Sequence, residues 1–485
     1  MKTNVASSAA PLSPADDPRT ADAVARARAE RERTEQRLFD LLRISSVSTK
    51  PEHAGDCRAA AEWLREELED AGMNDAVVLE TGGLPAVYAE WMAAPSGAPT
   101  VLVYGHYDVQ PPDPLELWHT PPFEPTVRDG AVFARGASDD KGQLWVHIAA
   151  LRAMLAEGDD LPVNVKVIIE GEEESGSEHL DAFVERERER LACDVVVVSD
   201  THMLSAEQPS IVASLRGMAY CEVTVRGPAH DLHSGTFGGG IRNPAEALAW
   251  LIAGCKDRTG RITIPGFYDG VIEPTAEERL ALEDVGFDEA GFLREAGVTS
   301  SWGEEGWTLY EQVGVRPTFE VNGMWSGYIE PGAKTVLPAT AHAKISMRLV
   351  ADQDWRRISQ LLEEHLQAMA ADMPGVEAVE VTALHGGRAV LVDTSHPAMG
   401  AATQALEATF RAPPVLTREG GSIPVVATFA EILKAPTVLM GFGLPDDRLH
   451  SPNEKFSLSQ LHLGVEASIM FLHSYAERAA MSVGD

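Results

Sequence analysis

The sequence predicts an α/β fold on a mainly parallel sheet, interrupted by an inserted α+β segment. Three observations carry that expectation. Short unbroken runs of Val, Ile and Leu alternate with helical segments, as in strands buried on both faces. The stretch 214–388 changes character and opens with strict apolar/polar alternation. With 485 residues, the chain is also longer than one hydrophobic core usually supports.

Residues 1–19 have no apolar h-region and are rich in Ala, Ser, Pro and Asp, so they read as a disordered leader and not as a secretory signal. From Thr20 to Leu42 the spacing of Leu38, Leu41 and Leu42 predicts an exposed helix docked by one face. Strands follow at Val101 to Tyr104, Val163 to Ile169, Val195 to Val198 and Thr437 to Phe442, with helices at Lys141 to Glu157 and Ser177 to Leu191. In the insertion, Cys221, Val223 and Val225 face inward while Tyr220, Glu222 and Thr224 face out. Asn243 caps a helix that has Pro244 at its first position. Strands over Ala341 to Val350 and Ala378 to Leu384 flank a helix over Asp354 to Met369. The expected domains are therefore 20–213 with 389–485, and 214–388.

A formal net charge of −34 excludes a binder of nucleic acid or of anionic membrane, both of which need clustered Lys and Arg. No window approaches the roughly eighteen apolar residues of a membrane span. The four cysteines are far apart without a CxxC pair, which argues for a reducing compartment and against a zinc-thiolate site. The expected location is cytoplasmic.

The chemistry lies at the strand ends. His106 and Asp108 follow one strand, Glu172, Glu173 and Glu174 a second, Asp200 a third, and His450 a fourth. Asp139 sits in a turn just before the helix at Lys141. Ligands of open α/β sheets bind at the carboxyl ends of the strands, so these groups converge on one rim. A lone His after a strand is ordinarily a satisfied polar residue, and a Glu triplet is ordinarily a solvated loop. Two imidazoles and three carboxylates on one rim are instead a donor set for two borderline divalent cations. His106 and Asp108 share one side of an extended segment, so Asp108 is placed to accept the second ring N–H of a metal-bound His106.

Gly105–Val109, Arg135–Gly142, Glu173–Ser177, Val197–Asp200 and Leu449–Glu454 together resemble, in order, the five metal motifs of the co-catalytic zinc metallopeptidases. That family includes carnosinases, cytosolic nonspecific dipeptidases, glutamate carboxypeptidase, aminoacylase and succinyl-diaminopimelate desuccinylase. The resemblance implies two divalent ions, Zn or Mn, with His106 and Asp200 on one, Glu174 and His450 on the other, and Asp139 bridging. It implies Glu173 as general base and a cis peptide bond between Asp139 and Asp140, and it gives Glu172 no role. Asp200, where other branches have Glu, points to the dipeptidase or aminoacylase side.

Asp231–Gly239, Ala333–Pro338 and Thr417–Pro424 are similar to the carnosinase and nonspecific dipeptidase branch. By that similarity 20–213 and 389–485 form the catalytic domain, and 214–388 is a lid and dimerisation domain of a homodimer. His233 then contacts the substrate carbonyl from the partner subunit, while Thr335, Arg348, Gly421 and Ser422 hold the substrate carboxylate. Arg348 also suits a carboxylate on its own chemistry, since a guanidinium grips one bidentately. The implied activity is hydrolysis of small peptides, namely dipeptides. Two readings compete with it: an N-acyl-amino-acid deacylase on the same scaffold and an inactive scaffold relative.

Overall fold

The computed structural model describes residues 17–283, 285–420 and 423–482. They form two compact units. The first holds the chain up to Ala213, Val392–Leu416 and the stretch from Thr428 onward, and the second is Ser214–Leu391 with Thr417–Ala427. The division differs from the sequence expectation at 389–391 and at Thr417–Ala427, which group with the second unit although they lie inside 389–485.

The first unit is built on a sheet in the order Asn74–Leu79, Ala86–Trp91, Asn164–Glu170, Thr100–His106, Val195–Val198, Thr437–Leu439, Ser210–Leu215. Its four central strands, Asn164–Glu170 to Thr437–Leu439, are mutually parallel, and their carboxyl ends share one rim. The expected mainly parallel fold is present, and antiparallel strands flank it on both sides. Val195–Val198 is buried throughout, which is why the run is continuous and shows no alternation.

The N-terminal helix differs from the expectation in two ways. Residues 1–16 of the leader lie outside the described residues, but the helix already starts at Pro18. Pro at the first position is pre-set for a helix, and the Asp17 side chain accepts from Arg19 N at 2.7 Å. The helix then breaks at Glu30 into Pro18–Ala29 and Arg31–Leu42. Likewise the segment expected as one helix to Leu191 is two, Leu180–Arg186 and Arg188–Leu191.

Behind the rim, the helix Lys141–Leu155 is almost wholly buried. Its His147 joins Ser468 through Nδ1 (2.9 Å) and Ser199 through Nε2 (2.8 Å), while Ser199 Oγ donates to Met440 O at 2.7 Å. Burial pushes His147 down to about 4. The unfolded chain therefore binds more protons between roughly pH 6.5 and 4, and stability present above that window is lost as pH falls through it. Urea unfolding should lose up to about 3 kcal/mol more across this window in the wild type than in His147→Gln. Equal losses in the two proteins would show that His147 does not stay neutral in the fold.

The second unit has a four-stranded antiparallel sheet, in the order Glu320–Ser326, Thr340–Leu349, Gly217–Arg226, Ala378–Gly387. Gly217–Arg226 alternates between buried and partly exposed residues, with Cys221, Val223 and Val225 inside. Helices Pro244–Ala253 and Trp355–Ala371 close that core with Leu248, Leu251, Leu362 and Leu366. Asn243 and Asp354 cap them, accepting from Ala245 N and from Arg356 N and Arg357 N.

Candidate metal centre

Each ligand-type residue sits where a strand or turn ends on the rim. His106 closes Thr100–His106 and is fully buried. Asp200 lies two residues beyond Val195–Val198, and Glu173–Ser175 is a single 3-10 turn three residues after Asn164–Glu170. Asp139 precedes the helix Lys141–Leu155, and the Asp139–Asp140 peptide is cis, as the resemblance implies. The two glycines of Arg135–Gly142 are required by space. A Cβ on Gly142 would overlap Ala137 O, and one on Gly136, which has φ +82°, would crowd Val109.

His106, Asp139 and Asp200 form one potential metal-holding group, and Asp139, Glu174 and His450 a second. In each group the ligand atoms lie within 4.8 Å of one another, and Asp139 belongs to both. His106 Nε2 is 3.1 Å from Asp139 Oδ1 and 3.9 Å from Asp200 Oδ2. His450 Nε2 is 2.9 Å from Asp139 Oδ2 and 3.3 Å from Glu174 Oε2. The structure thus gathers all five residues picked from the sequence as ligands.

The donor set fits divalent cations. His106 Nε2 is buried and, although 3.1 Å from Asp139 Oδ1, has no hydrogen bond of good geometry among the described residues, so these two donors suit a shared cation better than each other. The carboxylates crowd one another. Burial, with Asp139 and Asp140 adding to it, pushes Asp200 well above the usual carboxylate range. Burial and the nearby carboxylates Glu174, Asp139 and Glu170 push Glu173 up to about 8. Burial disfavours the His106 imidazolium, yet Asp108 and Asp139 outweigh it and raise its pKa well above normal. Asp139 and Glu174 raise His450 to about 10. Cations on the rim would neutralise this crowd of negative charge.

Asp108 does more than the expected pairing with His106. Its backbone oxygen accepts from His106 Nδ1 at 3.1 Å, whereas its carboxylate stands 3.4 Å from the same nitrogen. The carboxylate instead accepts from Glu173 N (3.2 Å) and Glu174 N (3.0 Å). One buried residue thereby sets both the imidazole and the turn that carries the two glutamates. Glu172 points elsewhere, accepting from Leu84 N (3.1 Å) and pairing with His179 Nδ1 (2.9 Å). That contact ties Glu172 to the 81–85 loop, and Glu172 is in neither ligand group.

Three further side chains hold the site and do not stand out in the ligand pattern. Gln110 donates to Glu174 Oε2 at 2.7 Å, Asp140 Oδ2 accepts from His106 N at 3.1 Å, and Glu454 grips the Asp139 turn. Gln110 carries a period-2 signal, two residues past Asp108 in an extended segment. Glu454 stands in the His450 motif but gives no signal of the turn it reaches.

In the second unit, His233 and Thr335 are neighbours. Leu232–His233 pairs with Val336–Leu337, and Ser234 N donates to Thr335 O at 3.1 Å. His233 is exposed and accepts from Gly235 N through Nδ1 at 3.0 Å. Arg348 lies on Thr340–Leu349, opposite Met218, and burial lowers its pKa. Gly421 and Ser422 lie outside the described residues.

Comparison with known proteins finds metallopeptidases. The chain is 30% identical to the Cys-Gly metallodipeptidase of Saccharomyces cerevisiae over 456 residues, covering 91% of this chain and 95% of that protein. It is 34% identical to the human beta-Ala-His dipeptidase over 378 residues, 77% of this chain and 74% of the relative. Its fold matches the M20 family metallo-carboxypeptidase Sso-CP2 of Sulfolobus solfataricus with a TM-score of 0.82 at 31% identity, covering 92% of this chain and 99% of that one. Residues 102–474 match the model of peptidase family M20/M25/M40, a span that contains all five ligand-type residues and Glu173. The chain therefore belongs to peptidase family M20/M25/M40, an enzyme family that depends on metal.

Proposed function

We propose that the protein is a dinuclear metallodipeptidase that hydrolyses the amide bond of dipeptides. The observation that carries this reading is the pair of ligand groups sharing Asp139, with Glu173 on the turn beside them. Its relatives named for Cys-Gly and beta-Ala-His dipeptides support the substrate class. His106 and Asp200 would hold one ion, Glu174 and His450 the other, and Asp139 both. The mixed nitrogen and oxygen donors suit Zn or Mn. When bound, such a pair supplies a polarised scissile carbonyl and an attacking water of lowered pKa.

The chain's own residues do the rest. Glu173 takes a proton as the water oxygen bonds to the amide carbon, and returns it to the amine nitrogen as the C–N bond breaks. Asp108 keeps Glu173 in place through the backbone N–H it accepts. By the family resemblance, His233 of the partner subunit donates to the developing oxyanion, and Thr335, Arg348, Gly421 and Ser422 hold the substrate carboxylate. This reading needs a homodimer formed through the inserted unit, which serves as lid and dimerisation domain. Four free cysteines support a cytoplasmic location, and among the described residues no helix is long and apolar enough to cross a membrane. The charge of −34 argues against nucleic-acid and membrane partners.

The likeness to a metallo-carboxypeptidase favours one second reading, removal of the last residue from longer peptides. Dialysis against a chelator, with metal analysis, should abolish hydrolysis of a dipeptide panel, and added Mn or Zn should restore it. At an ion concentration a hundredfold above Kd, rebinding should stabilise the fold by about 2.7 kcal/mol per site. Including tripeptides and N-acyl-amino acids in the panel separates dipeptidase from carboxypeptidase and deacylase. Full activity in demonstrably metal-free protein would overturn the reading.

A further inference from the structure

We propose that Glu454 is the positioning residue for Asp139 and couples the two ligand groups through it. The inference rests on the two-ion reading above. Glu454 is fully buried. Its Oε1 accepts from Ser138 N (3.0 Å) and Asp139 N (3.2 Å), and its Oε2 from Gly136 N (3.0 Å) and Arg135 Nη1 (2.6 Å). Three of these four donors are backbone groups of the single turn that presents Asp139. The carboxylate thus nearly fills its acceptor capacity on that turn.

The same loop also reaches the other side of Asp139. His450, four residues before Glu454, approaches Asp139 Oδ2 at 2.9 Å, so one loop grips both the backbone and the carboxylate of the shared ligand. The loop is itself pinned. Asn453 Oδ1 accepts from His119 N and its Nδ2 donates to Leu117 O, both at 2.8 Å. Arg448, His450 and Asn453 all have φ near +60°, a conformation that non-glycine residues keep only when the surroundings fix it. Displacing Glu454 would therefore shift Asp139 for both ions at once. Gln110, whose side-chain hydrogen bonds among the described residues go to Glu174, bears on one ion alone.

Glu454→Gln keeps the shape but turns an NH2 group toward one pair of donors, so backbone N–H groups of the turn lose their acceptor. The test is calorimetric titration of metal-depleted, full-length protein with Mn²⁺. Glu454→Gln should bind both ions 10- to 100-fold more weakly. Glu454→Asp, which retains two charged oxygens on a shorter arm, should recover part of that loss. Gln110→Ala should weaken one ion only. With Mn²⁺ saturating, Glu454→Gln should lower kcat and leave KM for the dipeptide near the wild-type value. If wild-type protein binds fewer than two ions, the two-ion reading fails. If it binds two and folded Glu454→Gln matches its affinities, or loses only one, the positioning role is overturned. Should Glu454→Gln not fold, wild-type affinities in Glu454→Asp overturn it instead.

Discussion

Replacing Glu173 by Gln is expected to lower kcat by about 10²- to 10⁴-fold while the protein still binds its full complement of metal. The amide preserves the shape of the side chain but cannot take a proton from the attacking water. Glu173 is not in either ligand group, and the backbone N–H that Asp108 accepts survives the change. Metal content and kcat therefore report separately. Loss of metal along with activity would mean that the register is off by one, with Glu173 a ligand and Glu172 the base. The contact of Glu172 with Leu84 and His179 argues against that shift, because it ties Glu172 to the 81–85 loop. Near-normal turnover would remove Glu173 from the mechanism altogether.

The five ligand-type residues were legible because strand ends are legible. An unbroken apolar run followed by His, Asp or Glu marks the carboxyl end of a buried strand, and parallel strands put those ends on one rim. What the linear pattern hides is what acts across the fold. Glu454 works through backbone donors more than three hundred residues away in sequence. The spacing picked Asp108 as the partner of His106 but assigned the contact to its carboxylate, whereas the nearer acceptor is its backbone oxygen, an atom no side-chain pattern reports.

The break at Glu30 and the split at Glu187 are hidden for a different reason, since helical periodicity runs through both positions. The helix Leu458–Ser482 is buried on nearly every side from Val465 to Tyr475, so the apolar stripe that marks a surface helix is absent. Thr417–Ala427 lies between stretches of the first unit, and only its packing groups it with the second.

His233 offers a test of the proposed homodimer. His233→Ala should lower kcat by about 10²- to 10³-fold, the effect of removing one oxyanion donor, without loss of metal. The residue is exposed and belongs to neither ligand group, so a merely structural role predicts almost no change. Subunit mixing is the more demanding experiment. Combine Glu173→Gln with His233→Ala, each nearly inactive alone, and let subunits exchange. If His233 serves the partner's site, a mixed dimer has one site with both lesions and one with neither. Random exchange makes half the dimers mixed, so activity should recover to about a quarter of wild type in a two-fold symmetric dimer. If His233 serves its own chain, every site in the mixture keeps one lesion and nothing is recovered. Exchange must be shown independently, for example by mass spectrometry of differently tagged subunits. Demonstrated exchange without recovery would then overturn the assignment of His233 to the partner's site.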